Sequence, residues 1–153
     1  MSRAFVRESD QPEPLPERVV SAHPNFVTPA GLQGIADRIR DLEAERDASR
    51  ESGDEGGLAR IARDLRYWNQ RRASARVIEA PAHPDVVRFG VRVALRFADG
   101  SEQAFRIVGE DEADPAHGFV SWVSPIAAAL MGRAAGDTVR YQDHEAEILR
   151  IEP

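Results

Sequence analysis

Cysteine is absent from this 153-residue chain, which excludes disulfides, thiol nucleophiles and cysteine-ligated metal centres. Lysine is absent too. All 20 basic residues are arginines, a bias from which no function follows. No apolar run approaches the ~20 residues of a membrane-spanning helix. The polar, proline-containing start has no signal-peptide pattern, so a cytoplasmic location is expected. The four histidines, His23, His83, His117 and His144, are scattered without ligand spacing. No nucleophile stands beside a base, and no glycine-rich loop could cradle a phosphate.

What is present suits a soluble globular chain of one domain or two small units, with 42% apolar and 30% charged residues. The net charge of −6 argues against general binding to duplex nucleic acid, which needs a basic face. Its distribution is uneven. Residues 36–57 carry four arginines and eight acids, whereas residues 58–76 carry six arginines and one acid. Residues 77–153 carry seven arginines against thirteen acids. The adjacent acidic and basic segments predict antiparallel helices that attract each other along their length.

Residues 1–26 hold Pro12, Pro14 and Pro16 in alternation, which forbids a helix and predicts a disordered tail. Residues 27–79 are expected to form a helical hairpin. Thr28-Pro29 is a helix start, and Leu32, Ile35, Ile39 and Leu42 form one apolar stripe. Leu58, Ile61, Leu65 and Trp68 repeat that spacing. Between them Ser52-Gly53-Asp54-Glu55-Gly56-Gly57 offers three glycines to reverse the chain. Residues 80–153 read as strand-rich. Val91, Val93, Leu95 and Phe97 alternate with polar or small residues, Asp99-Gly100 marks a tight turn, and Phe105 and Ile107 return. Ser124-Pro125 begins a short helix that Gly132 ends, and segments 138–141 and 145–151 form a last hairpin. The expected class is α+β: an antiparallel helical hairpin, a short coiled coil, followed by a small antiparallel sheet with one short helix.

The sheet-rich half carries the most specific motif. Ile107-Val108-Gly109-Glu110-Asp111-Glu112-Ala113-Asp114 ends a strand in four carboxylates, and Gly118, Ser124-Pro125 and Gly136-Asp137 follow. With Phe89-Gly90, Asp99-Gly100 and Ala129-Leu130-Met131-Gly132, this order resembles the C-terminal domain of the GreA/GreB family of bacterial transcription elongation factors. The resemblance covers residues 28–153 and is looser over the hairpin. It implies an FKBP-like fold for residues 80–153, which docks on RNA polymerase at the rim of its secondary channel while the hairpin enters the channel. Contact with nucleic acid is then indirect, in the elongation complex. A monomer is expected, with no membrane contact.

In active members two tip acids help hold magnesium in the polymerase active site and stimulate cleavage of backtracked RNA. The corresponding residues are Asp54 and Glu55. The family tip reads Gly-Asp-Leu-Ser-Glu-Asn-Ala-Glu-Tyr, and only Gly53-Asp54 matches it cleanly. Both arms look about ten residues shorter than usual, which withdraws the tip by roughly 15 Å. The resemblance is therefore to Rnk-type relatives, which bind polymerase without the usual cleavage role. No metal is expected in the free protein, and magnesium is shared with the polymerase only if the tip acts. A solvated turn is the simpler reading of Asp54 and Glu55.

The resemblance assigns Glu110, Asp111, Glu112 and Asp114 to the polymerase-facing surface, where negative charge steers docking. It gives Ser124 and Pro125 to the docking region, and Trp122 is either an interface anchor or a core residue. Arg60, Arg63, Arg66, Arg71 and Arg72 give the second arm a basic face, most simply paired with the acidic first arm. The alternatives are a fully active cleavage factor, a peptidyl-prolyl isomerase on the FKBP-like fold, and an adaptor for a partner other than polymerase.

Overall fold

The computed structural model describes residues 14–153. Strand β1 (Phe26–Val27) leads into helix α1 (Pro29–Ser52), which runs for about 36 Å. Helix α2 (Glu55–Ser74) returns to strand β2 (Arg76–Val77). Thr28 caps α1, its hydroxyl accepting the Gly31 N–H at 3.0 Å. The hairpin core is the predicted stripe: Ile35, Ile39 and Leu42 of α1 face Ile61 and Leu65 of α2, with Trp68 packed at its edge. Each fully buried Ile or Leu contributes about 1.5–3 kcal/mol of hydrophobic stabilisation.

The turn is tighter than expected. Only Gly53 and Asp54 lie between the helices, and Gly56 and Gly57 belong to the first turn of α2. Gly53 takes a left-handed conformation (φ 71°) and ends α1, so one of the three glycines makes the reversal.

Beyond a linker, five strands form one sheet in the order β5-β4-β3-β7-β6. Their ranges are β3 (Arg92–Phe97), β4 (Glu102–Val108), β5 (Phe119–Ser121), β6 (Thr138–Tyr141) and β7 (His144–Glu152). The pairs β3/β4, β3/β7 and β6/β7 are antiparallel, as predicted. The edge pair β4/β5 is parallel, and β1 pairs with β2 in a separate parallel ribbon. The acidic segment explains the first departure. It folds into two short 3-10 turns, Glu110–Glu112 and Pro115–His117, and this crossover brings β5 back beside β4 in the same direction. Helix α3 (Pro125–Leu130) lays Ile126, Ala127 and Leu130 on the sheet core of Val91, Val93, Leu95, Ile107 and Ile148.

The expected tail divides. Residues 1–13 lie outside the described residues, whereas Glu17, Arg18 and Asn25 are held against α2 and Ser21 against Glu110. Glu17 accepts from Nε and Nη2 of Arg66, and the Arg18 guanidinium lies 3.8 Å above the Tyr67 ring.

Candidate functional site

At the tip, Asp54 is the N-cap of α2: its Oδ1 accepts the Gly57 N–H at 2.9 Å. A Cβ on Gly57 would sit 2.2 Å from Asp54 Oδ2, so any larger residue there forces the capping carboxylate to turn. Glu55 is exposed in the first turn, where its charge favours the helix dipole. Among the described residues no group of three His, Asp or Glu side chains could hold a metal ion.

The four acids after β4 are brought together by the 3-10 turns, but three of them face the hairpin base. Asp111 accepts from Arg71 Nε at 2.6 Å and from the Tyr67 hydroxyl at 2.6 Å. Arg71 is 2% exposed, and its Nη2 donates to Asn25 Oδ1 at 2.7 Å. The Asn25 amide donates in turn to the Arg71 carbonyl oxygen at 2.7 Å. Burial, followed by the hydrogen bond to Asp111, pushes the Tyr67 phenol up to about 12.

Glu112 sits against the start of α1. Its Oε2 accepts the backbone N–H of Thr28 at 3.0 Å and of Gly109 at 2.9 Å, and its Oε1 accepts from the Thr28 hydroxyl. A Cβ on Gly31 would meet the Glu112 carboxyl carbon at 2.1 Å, so Gly31 makes room for this anion at the helix N-terminus. Glu110 accepts from the Ser21 hydroxyl at 3.0 Å. Only Asp114 turns outward, to His117 at 2.6 Å. The segment expected to present free negative charge is largely an internal clamp between hairpin and sheet.

The basic face of α2 is neutralised differently from expectation. Arg60 reaches Glu45 on α1 at 3.4 Å, while Arg66 pairs with Glu17 and Arg71 with Asp111. Arg63 is held by Asp64 of its own helix, and Arg72 donates to Asn69. Attraction between the helices is thus concentrated at one pair instead of running along their length.

Near α3, Ser124 accepts the Ala127 N–H at 3.4 Å and Pro125 fills the first helical position. Trp122 is half-buried, with its ring centroid 5.0 Å from that of Phe26 and 5.9 Å from that of His23. The tip pair and the Trp122–Pro125 group occupy separate elements, and the structure does not bring them together. Asn25 and Tyr67 were not singled out from sequence, and Thr28 only as a helix cap, although all three complete the clamp. Arg71 carried a signal: it lies three residues past Trp68, where the apolar stripe would continue, so a charge there requires a buried partner.

The architecture is thus a helical hairpin clamped to a small five-stranded sheet domain. The family model "Transcription elongation factor, GreA/GreB, C-term" matches residues 81–153. Among relatives, transcription elongation factor GreB of Neisseria meningitidis serogroup A is 32% identical over 152 residues, covering 84% of this chain and 93% of GreB. Transcription elongation factor GreA of Anaeromyxobacter sp. (strain K) is 45% identical over 112 residues, covering 72% of this chain and 63% of GreA. Two solved structures resemble it at lower identity. GreA factor homolog 1 of Thermus thermophilus gives a TM-score of 0.42 at 19% identity, covering 86% of this chain and 100% of that one. The GreA/GreB factor of Nitrosomonas europaea gives 0.43 at 18%, covering 84% and 99%. The chain belongs to the GreA/GreB family of transcription elongation factors. It is an accessory regulator of RNA polymerase and not itself an enzyme. None of its described helices is long and apolar enough to cross a membrane.

Proposed function

We propose that this protein binds RNA polymerase through its sheet domain and acts by occupying the secondary channel with a short hairpin, without stimulating RNA cleavage. The observation that carries this reading is at the tip. A metal-recruiting acid needs free oxygens at coordination distance. Asp54 commits Oδ1 to capping α2, one residue after the chain reverses, which leaves Oδ2 as its one uncommitted oxygen beside the exposed Glu55. The matched part of the meningococcal GreB is longer than the matched part of this chain, as a shortened hairpin would make it. The aligned 84% of this 153-residue chain is about 129 residues against 152 positions, so roughly 23 positions of the relative lack a counterpart here.

Within this reading the sheet domain is FKBP-like and the protein acts as a monomer in the cytoplasm. Trp122, Ser124 and Pro125 form the polymerase contact, with Asp114 the outward acid of its loop. Glu110, Asp111 and Glu112 support that contact indirectly, by fixing the hairpin against the domain. The test is co-elution of the full chain with core RNA polymerase, for wild type and Trp122→Ala. Binding by the wild type and at least tenfold weaker binding by the variant is expected, as for a central aromatic anchor. Absence of binding by the wild type would overturn the proposal.

A further inference from the structure

A cavity lies at the opposite end of β3 and β4 from the acid clamp, and none of the contacts described so far uses it. It has a volume of about 540 Å³ and is bounded by the β3–β4 turn, the β6–β7 turn and α3. Phe97, Phe105, Tyr141 and Ile126 contribute its apolar lining. Asp99, Asp143 and Glu145 line it with His144, all exposed, so three acids face one histidine, and no arginine is among the described lining residues. Neither Asp143 nor Glu145 forms an ion pair among the described residues, whereas Glu102, just past the β3–β4 turn, is matched by Arg96. The Ser101 hydroxyl and N–H hold the Asp99 carboxyl below the usual carboxylate range, which keeps it charged.

An apolar lining under an anionic mouth selects for a particular occupant. Phosphates are repelled, which disfavours nucleic acid. A purely apolar ligand leaves the carboxylates unmatched. An arginine or lysine satisfies both parts, because its aliphatic stem packs on the aromatic rings while its head meets the acids. We propose that this cleft docks a polypeptide segment of a partner protein, presenting an arginine or lysine beside an apolar side chain. It is a second protein contact that adjoins the one assigned to Ser124 and Pro125 through Ile126 of the same helix, and its charge pattern does not depend on the polymerase reading.

The experiment is an amide NMR titration of the isotope-labelled full chain. The probe is a blocked peptide, Ala-Leu-Arg-Leu-Phe-Ala, compared with the same peptide carrying glutamate in place of arginine. The expected result is perturbation of residues 97–101 and 141–145 by the arginine peptide alone. The Asp143→Asn/Glu145→Gln variant, altered only at exposed positions, should bind about fivefold more weakly with the rest of its spectrum unchanged. Equal shifts with both peptides, shifts centred on Trp122, or a stronger response at the cleft to oligouridylate would each overturn the proposal. So would self-association of the chain through the same residues.

Discussion

Arg71 Nε lies 2.6 Å from Asp111 Oδ2, joining the last turns of α2 to the loop that leaves β4. This ion pair is the centre of the clamp that orients the hairpin on the sheet domain. Its arginine also holds Asn25, and its aspartate also accepts from Tyr67.

Breaking this pair from one side leaves a charge at a nearly closed site. Arg71→Met should destabilise the fold by about 3 kcal/mol, since removing one partner of a buried pair typically costs that much. Urea unfolding of the full chain measures it. A loss below ~1 kcal/mol would mean that water reaches and solvates Asp111 once the arginine is gone.

Glu112 acts on both sides of the junction, at the Thr28 and Gly109 amides. Glu112→Ala should cost about 2 kcal/mol, the scale for hydrogen bonds to a charged group. It should also speed hydrogen exchange at those two amides, while Ile39 and Leu42 in the hairpin core stay protected. Uniform acceleration along the hairpin would contradict a local clamp.

Two adjacent glycines at the tip should respond oppositely to alanine. Gly57→Ala pushes a methyl group into Asp54 and should lose the cap, about 1 kcal/mol. At Gly56 the nearest atom to a new Cβ is Asp54 Oδ1 at 3.8 Å, an ordinary contact. Gly56→Ala should therefore stabilise α2 by up to ~1 kcal/mol through helix propensity. Thermal melts of the two variants separate these effects.

The Tyr67 phenol gives a pH signature. In the unfolded chain it ionises near its ordinary 10, and in the folded protein near 12. Between those values the unfolded state binds fewer protons, so stability should fall as pH rises from about 10 to 12 and be unaffected by this group below 10. Ultraviolet titration of the native protein should show a late phenolate component that is missing from Tyr67→Phe.

The hairpin, its capping threonine and the strands were legible because each rests on local chemistry. The stripe Leu32, Ile35, Ile39, Leu42 has one period, and Thr28-Pro29 and Ser124-Pro125 are helix starts whose caps the structure contains. What sequence did not reveal depends on long-range pairing. The clamp joins Asn25 to Arg71 and Thr28 to Glu112, across 46 and 84 residues. Nothing in the local pattern distinguishes an acid facing a partner protein from one facing the chain's own helix. Gly56 and Gly57 misled because glycine permits a turn without requiring one, and the Asp54 cap favours helix there. The direction of β5 comes with the two 3-10 turns of the acidic crossover, which carry no apolar periodicity to announce them.

The most direct test of the account is RNA cleavage in purified, backtracked elongation complexes, with binding to the same polymerase followed in parallel. The account predicts saturable binding and no shortening of the transcript beyond the polymerase's own rate. Cleavage stimulated by the wild type and lost in the Asp54→Ala/Glu55→Ala variant would contradict it, and would show that the short tip reaches the catalytic metal despite the cap.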